Sequence, residues 1–403
     1  MRKLQVGILG ATGAVGQKFV EILDGHPWFE ITALAASDRS AGKPYREAVN
    51  WIGSRPIPDY LADRVVERAS PGIACDFVFS GLDASVAGEI EGQFADAGYP
   101  VISNARNYRM QDDVPLLVPE VNPDHIRLID QQKREGGGFI VTNPNCSTVG
   151  LVSALRPLED AFGLEAVQVT TMQALSGAGY PGVSSLDALG NVVPFIGGEE
   201  EKLATEPRKL LGRLVDGRVE FLDVRVSAQC NRVPVLEGHL EAVSIKFRRH
   251  ATAADVREAL TSFRSPIHAF GLPSAPKTFI QVFEDDRSPQ PRRHADLGRG
   301  MTVSVGRIRP CEVLDVKFVV LVHNTVRGAA GGAVLNAELL VKEGYLARRA
   351  AGKRSDARNE EPVRANGGAT PNPSPDPSPD STPDPAPTPV PLSSADASFG
   401  RRA

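Results

Sequence analysis

Cysteine is scarce: four residues, Cys75, Cys146, Cys230 and Cys311, in a chain of 403. They lie far apart and form neither a CxxC pair nor a Cys/His cluster, so the signatures of a zinc site and of a disulfide-stapled scaffold are both missing. A reducing compartment, the cytoplasm, is the expectation. Net charge is nearly absent too, with 45 basic against 49 acidic residues for a formal −4. Nothing therefore pulls the chain as a whole toward nucleic acid or an anionic membrane surface. No stretch approaches the roughly 20 apolar residues a membrane-spanning helix needs. The N-terminus MRKLQVGILGATG reaches a glycine-rich turn too soon after its basic pair to leave room for a signal-peptide core and cleavage site. What is present is the composition of a soluble globular protein, 41% hydrophobic and 23% charged, at a length that favours two domains. Small-molecule chemistry is the function class left open.

Branched apolar and aromatic residues thin out sharply near residue 350. The segment 351–403 contains ATPNPSPDPSPDSTPDPAPTPVP, which cannot offset the entropy of its own ordering and is expected to be disordered or extended. A solvated appendage is the plain reading, and docking through the proline repeats is the other.

The first half carries a dinucleotide pattern. Leu4, Val6, Ile8 and Leu9 read as a buried strand, GATGAVG follows, and Phe19, Val20, Ile22 and Leu23 have helical spacing. Strand, glycine turn and helix are the order a phosphate cradle needs. Gly10 permits the tight turn, Gly13 lets the backbone approach a pyrophosphate, and Gly16 lets the helix pack closely on the strand. Thr12, Ala14 and Val15 complete that loop and helix start. The spacing is GxxGxxG where GxGxxG is commoner, so by itself the turn also fits a purely structural role. A second strand at 31–36 ends in SDRSAGK, with Ser37 where an NAD site carries its ribose-binding acid and Asp38 one step on. Arg39, Ser40 and Lys43 offer cations and a hydroxyl to a 2′-phosphate, which favours NADP over NAD. Further strands at 76–80, 100–103 and 139–142, with a helix at 84–97, extend a doubly wound, Rossmann-type parallel sheet over residues 1–145. Ser80, in FSGLD, lies at a strand's carboxyl end, where ligands of such sheets collect.

TNPNCSTVG places Cys146 directly after the strand 139–142, before Val149, Leu151, Val152, Leu155 and Leu158, which form an apolar helical face. At a helix start, free amides and the dipole are expected to lower a thiol's pKa and to hold an oxyanion. Asn145 can orient the acyl oxygen or the thiolate. A buried core thiol fits the same position, as it does for the other three cysteines. A thiolate nucleophile needs a proton partner. Of the seven histidines, His239 stands out, just after a glycine turn and heading the alternating strand Val243, Ile245, Phe247; a solvated or capping histidine is the alternative there. Strands at 166–172, 224–228, 241–247, 279–283, 302–308 and 313–322 have period two, so the second unit, 146–325, is expected to be an α+β domain with a mixed, largely antiparallel sheet. ATAADVREALTSF is read as a helix capped by Thr252 with Asp255 three residues on. The Ala/Gly-rich stretch 326–345 is expected to form a closing helix that packs back on the first domain, within a unit 326–350.

The set GILGATGAVGQ, ASDRSAGK, SNARNYRM, NPNCST, QALSGAGYPG, GGEEEK and NRVPVLEGHLEAV resembles aspartate-semialdehyde dehydrogenase, in its archaeal and fungal-type branch, from about Lys3 to about Tyr345. The tail has no counterpart. The resemblance implies Cys146 as acyl-accepting nucleophile, His239 as general acid/base and Gln173 as the residue orienting the acyl group. Arg232 would pair with the substrate carboxylate, Glu199 would receive its ammonium, and Lys202 and Arg109 would hold its phosphate. The run Glu199, Glu200, Glu201 leaves the register of that acid open by one. Ser176, Gly177, Asn324 and Thr325 match cofactor-contacting positions, the last two at the nicotinamide end. The implied reaction is NADPH-dependent reduction of aspartyl phosphate through a Cys146 thioester, without a metal, in the biosynthesis of lysine, threonine, methionine and isoleucine. Family members are homodimers or homotetramers. Malonyl-CoA reductase and N-acetylglutamyl-phosphate reductase share the Cys/His chemistry and are the rival enzymes. An inactive NADP-binding paralogue is the rival of another class, disfavoured by the joint presence of Cys146, Gln173, Arg232 and His239.

Overall fold

Apolar runs bounded by turns build the first sheet in the computed structural model, which describes residues 2–346. The proline-rich segment 351–403, and the last residues of the expected 326–350 unit, lie outside the described residues. Strands β1 (Leu4–Leu9), β2 (Phe29–Ala36), β3 (Glu67–Arg68), β4 (Phe77–Ser80), β5 (Pro100–Ser103) and β6 (Phe139–Thr142) pair in parallel in the order β3-β2-β1-β4-β5-β6. Helices cover both faces, which is why β4 and β6 are buried throughout and read as unbroken apolar runs. Strand order reverses between β1 and β4, and the carboxyl ends of those two strands are where sheets of this kind form a ligand crevice. Helix Ala14–Leu23 begins there, directly after the glycine turn. Helix Ala84–Asp96 starts on Asp83, whose side chain accepts from the Ser85 amide.

The second sheet contains β7 (Leu164–Gln173), β10 (Arg225–Arg232), β11 (His239–Phe247), β12 (Ile280–Val282), β13 (Val303–Pro310) and β14 (Val316–Val322); β8 (Arg213–Val215) and β9 (Arg218–Glu220) form a separate hairpin. The order is β10-β7-β11-β14-β13-β12. The three central pairings are antiparallel and the two outer ones, β10 with β7 and β12 with β13, are parallel. Helices Cys146–Phe162 and Ala253–Ser262 cover one face, where Val149, Val152 and Leu155 pack with Val169, Val243, Ile245 and Phe318. Thr252 and Asp255 form the expected capping box. One covered face accounts for the period of two.

The stretch expected as one closing helix is instead a π-helical turn, Val326–Ala330, followed by an α-helix, Gly331–Lys342. The wider turn brings Gly328 against the nucleophile's backbone, where an added Cβ would lie 2.8 Å from Cys146 Cβ and 2.9 Å from its Cα. Arg327, fully buried, makes a bidentate pair with Glu120 at 2.7 Å to each oxygen. Beyond the turn, Ala333, Val334 and Ala337 share a core with Phe19, Val20 and Phe79.

Candidate active site

Cys146 is the first residue of its helix because Asn145 caps it: Asn145 Oδ1 accepts from the Ser147 amide at 3.0 Å. Its Sγ lies 3.3 Å from Nε2 of His239, which heads β11 on the neighbouring sheet. The ring's other nitrogen, Nδ1, accepts the Ala174 amide at 3.0 Å. His239 is fully buried; burial, and then the Arg232 guanidinium, push its pKa down to about 3. Burial and the Glu199 carboxylate push the Cys146 thiol up to about 12. The expected lowering at a helix start is thus reversed. A helix dipole contributes at most about 2 kcal/mol, and desolvation of a thiolate beside a carboxylate exceeds it.

A ring of charge surrounds the pair. Glu199 opens helix Glu199–Leu210 and accepts from Asn145 Nδ2 at 2.8 Å, Gln173 Nε2 at 3.1 Å and Lys202 Nζ at 2.6 Å. Burial works upward on this carboxyl, yet Lys202, Asn145 and Gln173 together hold it below the usual carboxylate range. Glu200 is turned away and accepts the Cys230 amide at 3.0 Å, so Glu199 is the one of these two glutamates that faces Asn145 and Gln173. Asn145 thus spends its side chain on the helix start and on Glu199, where a contact to acyl oxygen or thiolate was expected. Arg232, at the end of β10, donates from Nη1 to the Ala174 carbonyl at 2.7 Å. Gly177 leaves room for both neighbours, since a Cβ there would sit 3.0 Å from Arg232 Nη1 and 3.1 Å from His239 Cε1. Arg109 donates to Glu206 at 2.8 Å and to the Asn104 carbonyl at 2.7 Å. Its terminal nitrogens are committed, while Nε has no partner among the described residues. Glu206, unnoticed in the sequence, also accepts the Asn145 amide at 2.7 Å. It stands two helical turns after Glu199, the one signal that marked it. Lys209, one step further along that face, ties the Arg109 loop through the carbonyls of Arg109, Gln111 and Val114.

The crevice fits a dinucleotide with a 2′-phosphate. Gly10 has φ +77° and Gly16 lies so close to the turn that a Cβ would come within 2.2 Å of the Gly10 carbonyl oxygen. Gly13, Ala14, Val15 and Gly16 form the helix start, whose first-turn amides lack intrahelical acceptors. After β2, Asp38 pairs with Arg68 at 2.9 Å on the exposed surface. Arg39 and Lys43 are exposed beside Ser37 and Ser40. Ser80 ends β4 with its side chain fully buried on the Glu91 side of the sheet. Ser176, Asn324 and Thr325 converge on one network. Asn324 Nδ2 donates to Ser176 Oγ at 2.8 Å, and both Ser176 and Thr325 donate to Glu237, at 2.9 and 3.2 Å. Glu237, two residues before His239, was not anticipated.

Two family models match this chain: a semialdehyde dehydrogenase NAD-binding domain over residues 5–129 and a semialdehyde dehydrogenase dimerisation domain over residues 155–327. Fold, cysteine and glycine turn thus define a semialdehyde dehydrogenase. The aspartate-semialdehyde dehydrogenase of Archaeoglobus fulgidus is 52% identical over 344 residues, 85% of this chain and 99% of that one, and the Schizosaccharomyces pombe enzyme is 52% identical over 355 residues with the same coverage. A Candida albicans aspartate semialdehyde dehydrogenase solved with NADP superposes with a TM-score of 0.79 at 46% identity, covering 85% of this chain and 99% of that one. The chain belongs to the aspartate-semialdehyde dehydrogenase family.

Proposed function

We propose that this chain catalyses NADPH-dependent reductive dephosphorylation of L-aspartyl 4-phosphate to L-aspartate 4-semialdehyde. The observation that carries the reading is the Cys146 Sγ to His239 Nε2 contact of 3.3 Å, set among Glu199, Arg232, Lys202 and Arg109. A substrate with a carboxylate, an ammonium and a phosphate needs cations and an anion in that arrangement. Arg232 spends one nitrogen on the Ala174 carbonyl and has the rest of its fork for the substrate carboxylate. Glu199 takes the ammonium, and Lys202 and Arg109 supply positive charge toward the phosphate. Cys146 displaces phosphate to give a thioester, and Gln173 orients the acyl group. The glycine turn, with Arg39, Ser40 and Lys43 near the 2′-phosphate, would hold NADPH, whose chemistry there would be to supply hydride to the acyl carbon. His239 protonates the oxyanion of the resulting thiohemiacetal and takes the proton back as the aldehyde leaves.

We divide the chain into a cofactor domain, 1–145, a catalytic and dimerisation domain, 146–325, and a closing segment from 326. A homodimer or homotetramer fits the match to a dimerisation domain. Among the described residues no helix is long and apolar enough to cross a membrane, and we place the enzyme in the cytoplasm. The test is phosphate-dependent NADP reduction with L-aspartate semialdehyde, run beside malonate semialdehyde plus CoA. Activity on the first pair alone is expected, and Cys146→Ser should abolish it while NADP affinity stays within about 2-fold. Activity on the second pair alone would replace the reading with malonyl-CoA reductase, and NADP binding without reduction of either would end the enzymatic one.

A further inference from the structure

Two glutamates of one helix grip a single residue of the nucleophile's turn. Glu199 and Glu206 stand seven apart on helix Glu199–Leu210, so they share a face two turns long. Glu199 accepts from the Asn145 side chain at 2.8 Å, and Glu206 accepts from the Asn145 backbone amide, through Oε2, at 2.7 Å. The other oxygen of Glu206, Oε1, accepts from Arg109 Nη1 at 2.8 Å. Glu206 is 2% exposed and Arg109 7%, so water hardly competes for either contact. Arg109 Nη2 is engaged by the carbonyl of Asn104, the residue after β5, which fixes the plane of the guanidinium. Lys209, on the same helix, holds the Arg109 carbonyl at 2.8 Å. A buried ion pair is a poor source of stability in itself. Its geometric effect here is specific: one carboxylate bridges the cation assigned to the substrate phosphate and the residue immediately before Cys146.

We infer that Glu206 is a positioning residue for the reaction proposed above, acting through Arg109 on the phosphate and through the Asn145 amide on Cys146. This rests on the acyl-phosphate reading, with Arg109 as a phosphate cation. Phosphate leaves the acyl carbon as Sγ bonds to it, and in the reverse direction attacks the acyl carbon that Sγ carries. Arg109 and the sulfur must therefore keep a fixed separation. They belong to different parts of the chain, and the two oxygens of one planar carboxylate set that separation. The bridging group has to be a carboxylate because both partners are donors. An amide at position 206 would offer one acceptor and one NH2, setting donor against donor at either Arg109 or Asn145 in a dry site.

Steady-state kinetics of phosphate-dependent NADP reduction with L-aspartate semialdehyde test this on the full chain, in a cycle of Glu206→Gln, Arg109→Gln and the double variant. Glu206→Gln is expected to raise the phosphate KM and to lower kcat, each at least about 10-fold, since a displacement of about 1 Å costs up to about 100-fold. The KM for L-aspartate semialdehyde should stay within about 3-fold and NADP affinity within about 2-fold, because neither ligand's own contacts are removed. Arg109→Gln should raise the phosphate KM. On that background Glu206→Gln should add less than about 2-fold to the phosphate KM while still lowering kcat, the pattern of one path through Arg109 and one through Asn145. Glu206→Asp keeps both acceptor oxygens on a shorter stem, and its phosphate KM should fall between those of the parent and Glu206→Gln. It takes the place of Glu206→Gln in the cycle if the glutamine variant does not fold. Additive effects on the phosphate KM, or parental kinetics with nothing changed but a lower melting temperature, overturn the inference. Either result in a parent that turns over defeats the positioning role alone, and a parent without phosphate-dependent turnover defeats the functional reading as well.

Discussion

Glu241 shows what a single residue can hide. It lies on β11, two positions after His239, fully buried, and neither carboxyl oxygen has a partner among the described residues. Gly150, on the nucleophile's helix, is its close neighbour, with a Cβ there falling 3.3 Å from Glu241 Oε1. An ionised carboxylate so placed would cost several kcal/mol, and burial raises its pKa well above the usual carboxylate range. The group is a neutral acid in the fold. Because its folded pKa lies above its unfolded one, its contribution to stability is complete below the unfolded value and is lost as pH rises through the folded one. Glu241→Gln keeps the shape and removes the titration. Urea midpoints should therefore agree within error at pH 4, while at pH 8 the variant should be the more stable, by at least about 1.4 kcal/mol for each pH unit that the folded value is raised within that range. Parallel pH profiles would show that the carboxyl is ionised or solvated.

At the scale of elements, the legible parts are those with a period or a punctuation mark. Strand β11 alternates and follows Gly238, and the expected strand at 241–247 began only two residues late. The glycine turn, the Thr252 capping box and the Cys146 helix each carry local signals that tertiary packing does not contradict. The illegible parts depend on what lies opposite. Nothing in VRGAAGGA distinguishes a π-turn from an α-helix, because the close approach of Gly328 to Cys146 that goes with the turn is a contact between distant parts of the chain. Nor does Asn145 announce that it will hold Glu199, or Ala174 that its amide will meet His239 Nδ1, since both contacts cross between elements far apart in sequence. For a related reason a strand end locates Ser80 and leaves open which face its side chain takes. Gly328→Ala tests the turn directly. A methyl group 2.8 Å from Cys146 Cβ must displace the turn or the nucleophile's helix start, costing about 1–3 kcal/mol. Thermal melting should fall accordingly, and kcat should fall at least 10-fold while NADP affinity stays within about 2-fold. A variant with wild-type kcat would mean that the turn yields without moving Cys146.

For the whole molecule, the segment between Tyr180 and Phe195 leaves its apolar side chains uncovered. Leu186, Leu189 and Phe195 are 89%, 76% and 69% exposed, with Tyr180, Val192 and Leu236 also exposed. A patch of this kind on a single chain marks an interaction surface, and here a second copy of the chain is the expected cover. The patch is also wired to the site. Val193 exchanges both backbone hydrogen bonds with Arg232, at 3.0 and 2.8 Å, so whatever orders the segment orders the arginine assigned to the substrate carboxylate. Covering the segment should thus sharpen substrate binding, whereas the glycine turn, built on the other sheet, is far from it in the chain. Paired Leu189→Asp and Phe195→Asp substitutions should convert the oligomer to monomer in light scattering at micromolar concentration. The monomer should show a KM for L-aspartate semialdehyde raised at least 10-fold, with NADP affinity within about 2-fold of the parent. A parent that is already monomeric would remove the interface. A monomeric variant with an unchanged KM would leave the interface standing and break its link to Arg232.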